Sequence, residues 1–311
     1  MREKIFNTCI IIISLFVLSQ LLIKKSIIYS SILYALNIWV NNLIPALFPF
    51  FIISDILINY NITEFIPKII KNICKSLFNI SDNMLTILIL SMISGFPSNA
   101  RNTRTLYDKG LITLEEANHI LIFSHFSNPV FILTTVATFF FHDQKIGIVL
   151  LITHYFSNFI LGVLFRNKIE INDKDCVNVT LPENFGFIFI SSIKKAVDTI
   201  LMICGILVVF LMLSSIVINM FNFNSYNTML IKGLFEITIG IESLCKLSIN
   251  TCSKAVIASM ILAFGGISVH VQVLSQITGT KIKYIYFFIG RMYQMILSGL
   301  LTYIVCIIIK I

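Results

Sequence analysis

The feature that most constrains this chain is a series of apolar runs long enough to cross a lipid bilayer. Residues 5–23, 146–165, 201–220 and 282–309 are each dominated by Ile, Leu, Val and Phe. A spanning helix needs about 20 such residues to match roughly 30 Å of hydrocarbon. Of the 311 residues, 57% are hydrophobic and only 12% are charged, against about 25% charged in a soluble domain. That leaves too little polar surface to cover a water-soluble globule. The sequence therefore predicts an all-α, polytopic integral membrane protein, with several spans and no large soluble domain.

The formal net charge of +8 does not imply a nucleic-acid partner. The Lys and Arg residues lie in short loops between apolar runs, where they meet headgroups and set topology. Seven cysteines (Cys9, Cys74, Cys176, Cys204, Cys245, Cys252 and Cys306) are scattered singly, without metal-ligand spacing or a disulfide framework. No metal and no cofactor are expected. Neither HExxH, GxSxG nor a P-loop occurs, so the expectation is a protein that is not an enzyme. An intramembrane enzyme, with Ser268 as nucleophile and His270 as its base, is the rival to be tested.

Four parts are expected. Residues 1–25 read as a retained first span, because the apolar run is long for a signal peptide and is closed by Lys24 and Lys25. Residues 26–165 form a first transmembrane half, 166–184 a polar linker and 185–311 a second half. Within the first half, residues 27–58 hold Trp39, Asn41, Asn42, Pro45, Pro49 and Asp55 and so are not a plain lipid-facing helix. Ile62, Phe65, Ile66, Ile69, Ile70, Ile73 and Leu77 recur at helical spacing, with Lys68, Lys71 and Lys75 off the stripe. This pattern predicts a helix lying in the membrane interface. Thr113 and Glu116 form a capping box that starts a helix carrying His119 and His125 and ending at Asn128-Pro129. In the second half, 185–200 reads as an amphipathic helix and 201–220 as a separate span.

Several apolar segments are too short to span and run into glycine-rich turns. Residues 84–94 lead into Gly95-Phe-Pro-Ser-Asn99, and 255–264 lead into Gly265-Gly-Ile-Ser-Val-His270. Each half also has an interrupted region with acidic residues: Asp55 in the first, Glu236 and Glu242 in the second. Broken helices in corresponding places are the mark of inverted-repeat transporters, whose sites lie where the half-helices end. Lipid offers the freed backbone groups no partners, so such breaks must face protein or a watery cavity. The expectation is two pseudo-symmetric inverted halves with re-entrant or broken helices around both turns.

Six stretches resemble the nucleoside-recognition (Gate) domain membrane proteins, and among them the sporulation integral membrane protein group. They are Leu43-Ile-Pro-Ala-Leu-Phe-Pro-Phe50, Ser94-Gly-Phe-Pro-Ser98, Leu106-Tyr-Asp-Lys-Gly-Leu-Ile-Thr-Leu-Glu-Glu-Ala117, Ser127-Asn-Pro-Val-Phe131, Gly233-Leu-Phe-Glu-Ile-Thr-Ile-Gly240 and Phe264-Gly-Gly-Ile-Ser-Val-His-Val-Gln272. The sequence departs from the family pattern after Ser98, where Asn99 stands in place of a second glycine. The resemblance implies a multi-pass protein of the bacterial cell membrane that moves a small solute. Dipicolinate during sporulation is the leading substrate and a nucleoside or nucleobase the alternative. A non-transporting component of spore-envelope maturation is the remaining reading.

The substrate-binding residues expected on these grounds are Gly95, Pro97, Ser98, Asn99, Asn128, Glu236, Gly265, Gly266, Ser268, His270 and Gln272. The expected partners are a small-molecule solute, the lipid bilayer, a coupling proton or sodium ion, and further copies of the chain. Arg291, inside the last apolar run, is expected to form a salt bridge with Glu236 or Glu242.

Overall fold

The computed structural model describes residues 2–166, 184–221 and 223–310. All regular structure among them is helical. The 166–184 linker lies outside the described residues except at its two ends. Among the described residues, six helices are long and apolar enough to cross a membrane, or seven if one bent pair is a single span.

Helix α1 (Arg2–Ile23) touches little besides α2 (Lys25–Ile38). A wide π-turn, Trp39–Leu43, joins α2 to α3 (Ile44–Asn59). Pro45 fits at the start of α3, where its missing N–H has no intrahelical duty. Helices α2 and α3 pack along α9 (Phe185–Met220). Ala46, Leu47 and Phe51 bury against Ala196, Ile200 and Ile203, and Ala35 and Ile38 bury against Leu207 and Leu211. Residues 185–220 form one continuous 36-residue helix, which corrects the expected division at residue 200. No proline interrupts the segment, and its charged Lys195 is engaged by Asp55 of α3 at 3.3 Å.

Asp55 is buried and also accepts from Ser192 Oγ at 2.8 Å. Arg101, from helix α6 (Ser98–Asp108), approaches it to 3.8 Å and lies over the Phe51 ring. This cluster ties the α2–α3–α9 layer to the rest of the molecule.

The larger body holds α4 (Lys68–Phe78), α5 (Asp82–Ser94), α6, α7 (Leu114–Phe123), a π-helix (Phe131–Phe141) and α8 (Gln144–Leu164). The second half adds α10 (Ser225–Phe235), α11 (Ile237–Cys245), α12 (Thr251–Phe264), α13 (Gly266–Ile277) and α14 (Tyr284–Ile309). Helix α14 packs on α12, α8 and α7, so the two halves share one interior. The capping box forms as the sequence predicts: Thr113 Oγ1 accepts from Glu116 N and Glu116 Oε2 from Thr113 N.

Helix α7 ends at Phe123 rather than at Asn128, so His125 stands beyond it in an unwound segment. Pro129 restricts only the residue before it; the earlier stop comes from tertiary hydrogen bonds that hold the segment open. The apolar piece after Pro129 is a π-helix, in which Thr138 Oγ1 reaches back to Leu133 O.

Candidate functional site

Four helix interruptions meet at the centre, in two pairs. In the first half, α5 ends at Gly95, whose φ of +76° suits glycine alone. A Cβ there would stand 2.7–2.9 Å from backbone and side-chain atoms of Asn128. Asn128 holds the facing interruption together. Its Nδ2 donates to the carbonyls of Ala46, Ile93 and Ser94, and its Oδ1 accepts from Val130 N and Phe131 N. It thereby caps the π-helix and satisfies the carbonyl end of α5.

In the second half, Glu236 separates α10 from α11 and caps α11. Its carboxylate accepts from Thr238 N at 2.7 Å, Ile239 N at 3.1 Å and Thr238 Oγ1 at 3.2 Å. The facing interruption is Gly265-Gly266, both at positive φ. A Cβ on Gly266 would meet the Glu236 backbone at 3.2 Å. Each half thus sets one interruption hard against another, with a glycine on one side and a capping polar residue on the other.

Helices α6 and α13 both begin at these interruptions and lie side by side. Arg104 Nη1 donates to Gln276 O and Thr278 O, both at 2.9 Å, which ties the second half of α6 to the C-terminal end of α13. Neither N-terminus has a side-chain cap. In their first turns, Asn99 Nδ2 and Ser268 Oγ are buried without a hydrogen-bond partner. Ser98 Oγ, by contrast, accepts from Ser94 Oγ and Asn102 Nδ2.

Between the broken helices and the α3–α9 layer lies a cavity of about 30 Å³. Its apolar wall includes Leu43, Leu47, Ile203 and Leu207, and its other wall carries Ser127, Asn128, Glu236, Thr238 and Gln272 beside Phe96. That volume holds one or two waters, not an aromatic ring. Of the sequence-predicted residues, Asn128, Glu236 and Gln272 line this cavity, while Gly95, Pro97, Gly265 and Gly266 shape the backbone around it. His270 is turned away: Nδ1 meets Tyr284 OH at 2.5 Å and Nε2 meets Phe264 O at 3.0 Å.

The salt bridge expected for Arg291 is absent among the described residues. Glu236 is occupied by the α11 N-terminus, and Glu242 pairs with Lys246 at 2.5 Å and with Tyr34. Arg291 is fully buried. It donates to Ile122 O (3.1 Å), His125 O (3.2 Å), Asn158 Oδ1 (3.2 Å) and Gln294 Oε1. The guanidinium therefore serves the open carbonyls at the end of α7, where the helix dipole favours a cation. Asn158 Nδ2 adds a bond to His125 O, and His154 Nε2 accepts from Ser127 N. The sequence reading passed over His154 and Asn158 as part of a plain span. Their spacing of four puts both on one helical face, a signal that was available.

Six membrane-length helices, with interrupted helices meeting at a central cavity, define a multi-pass integral membrane protein. Residues 40–143 match the family described as Gate: Nucleoside recognition, a stretch that includes both interruptions of the first half. The chain is a distant homologue of the Sporulation integral membrane protein YlbJ of Bacillus subtilis (strain 168). The two are 27% identical over 296 residues, which covers 83% of this chain and 72% of the relative. No solved structure matches.

Proposed function

We propose that this protein transports a small, polar, anionic ring solute, with dipicolinate the leading substrate. The observation that carries the reading is the pair of neighbouring helices α6 and α13 whose N-termini lack side-chain caps, with the unpartnered Asn99 Nδ2 and Ser268 Oγ in their first turns. Helix N-termini present N–H groups and partial positive charge, which together bind carboxylate. The sporulation name of the relative supports dipicolinate over other anions.

Glu236 does not oppose an anion as strongly as an isolated carboxylate would, because its charge is already engaged by three donors at the start of α11. The central cavity is too small for a ring as it stands, so on this reading a ring enters only when the broken helices part from the α3–α9 layer. The element order supports an inverted repeat. In it, α5–α6 corresponds to α10–α11, the interrupted span of α7 and the π-helix corresponds to α12–α13, and α8 corresponds to α14. This pairing sets the Gly95 interruption against that at Glu236, rather than against that at Gly265. Catalysis is disfavoured, since both ring nitrogens of His270 are engaged and neither serves Ser268.

One observation favours the nucleoside alternative. The cavity wall offers Ser127, Thr238, Gln272 and the Glu236 carboxylate but no cation, a set that suits hydroxyl and amide donors. Uptake into proteoliposomes separates the two. Labelled dipicolinate and a labelled nucleoside are compared at two pH values, with and without sodium. Dipicolinate uptake that falls at least tenfold in a combined Asn99→Leu and Ser268→Ala variant supports the proposal. Nucleoside uptake alone transfers it to the alternative, and uptake of neither solute refutes transport of this class.

A further inference from the structure

The cysteines stand far apart in the sequence, but the fold brings two of them together. Cys252 lies in the first turn of α12 and Cys306 in the last turn of α14, and these two helices pack along one another. The Cys252 and Cys306 thiols are hydrogen-bonded to each other. A second contact agrees with this placement: Ser298 Oγ of α14 donates to Ser259 O of α12 at 3.1 Å. Between the two contacts, an advance of about two turns along α14 matches a retreat of about two turns along α12. A single antiparallel register therefore accounts for both.

This end of the helix pair carries polar and basic groups. Asn250 Oδ1 accepts from Ser253 N at the start of α12, Lys254 Nζ donates to Cys245 O at 2.7 Å, and the exposed Lys310 follows α14. Such groups at helix ends mark the headgroup level, which water-soluble thiols and disulfides reach. Cys252 is partly exposed there and Cys306 is buried, and both are free thiols. Cys245 packs against the same apolar cluster and is the rival partner for Cys252; the thiol–thiol contact selects Cys306.

We infer that Cys252 and Cys306 form a reversible disulfide, made by exchange with a low-molecular-weight disulfide, that staples α12 to α14. The Cys252 thiolate attacks one sulfur of the acceptor. The acceptor S–S bond breaks, and the first thiol leaves and takes up a proton. Cys306 then gives up its proton and attacks the Cys252 sulfur of the mixed disulfide, which expels the second thiol. Two cysteine thiols are oxidised and one acceptor disulfide is reduced to two thiols. The new bond is about 2.05 Å long, so side chains already in hydrogen-bond contact have a short gap to close. The staple joins the helix that runs into Gly265-Gly266 to the helix that carries Arg291, and it requires no transported solute.

The full-length chain, purified in detergent, is equilibrated at several ratios of glutathione to glutathione disulfide, quenched with iodoacetamide and digested without reduction. Peptide mass mapping shows the Cys252–Cys306 pair on the order of tenfold above any other cysteine pair, and excess dithiothreitol removes it. Cys245→Ala keeps the pair. Cys306→Ala takes away the resolving thiol, so Cys252 accumulates as the mixed disulfide with glutathione. The linked wild type melts several degrees above its reduced form, because the cross-link restricts the unfolded chain. Cys252 and Cys306 both alkylated at every ratio overturn the inference. So does pairing of Cys252 with Cys245, a link between two chains, or a linked form that melts with the reduced one.

Discussion

Arg291 offers the sharpest test of how the unwound segment is held. Replacing it with Met keeps much of the side-chain volume and removes all donors. Two backbone carbonyls, Ile122 O and His125 O, then lose a donor in a fully buried site, as do Asn158 Oδ1 and Gln294 Oε1. Polar interhelical bonds in bilayers average about 0.6 kcal/mol and reach about 1.7, so four of them amount to roughly 2–7 kcal/mol. Removing one partner of a buried charged network costs about 3–5 kcal/mol, which narrows the range. Relief from burying the guanidinium offsets part of this loss but leaves Ile122 O without this donor, while His125 O keeps only Asn158 Nδ2. A net loss of about 3 kcal/mol lowers the melting temperature by roughly 6–12 °C, on the scale known for domains of this size class. Fluorescence-detected size-exclusion after heating, in detergent, reads the shift. Arg291→Lys separates charge from geometry. Lysine keeps the charge but lacks the planar fork that reaches several acceptors at once, so it recovers less than half of the loss. Should Lys restore full stability, or Met leave the melting temperature within 2 °C of wild type, the clamp does not work as described.

Two further outcomes follow from the interruptions. Gly95→Ala combines a disfavoured positive φ with overlap against Asn128, and membrane-extracted protein is expected to lose most of its monodisperse fraction; wild-type yield contradicts the close approach. Asn128→Asp keeps the two accepted bonds but loses donation to Ala46, Ile93 and Ser94, for a loss of about 2–3 kcal/mol; an unchanged melting temperature removes Asn128 as the tie between the paired interruptions.

Much of this protein is determined by local sequence. Apolar runs of bilayer length have one solvent that suits them, which fixed the class and located most of the helices. Gly95, Gly265 and Gly266 marked turns that other residues resist, and Thr113 with Glu116 marked a helix start, because φ/ψ limits and capping act within a few residues. What sequence could not decide is which distant group meets which. Arg291 looked like a salt-bridge partner for Glu236, since both are costly charges at membrane depth. In the fold, Glu236 spends its charge on the N–H groups of its own helix, and Arg291 spends its charge on carbonyls more than 160 positions away. Likewise α7 stops early and residues 185–220 stay continuous for reasons lodged in other helices: Arg291 and Asn158 against the open carbonyls, and Asp55 against Lys195. Charges in lipid must be satisfied, but any donor or acceptor of the right shape will do, and only the packing of α14 on α7 and of α9 on α3 selects among them.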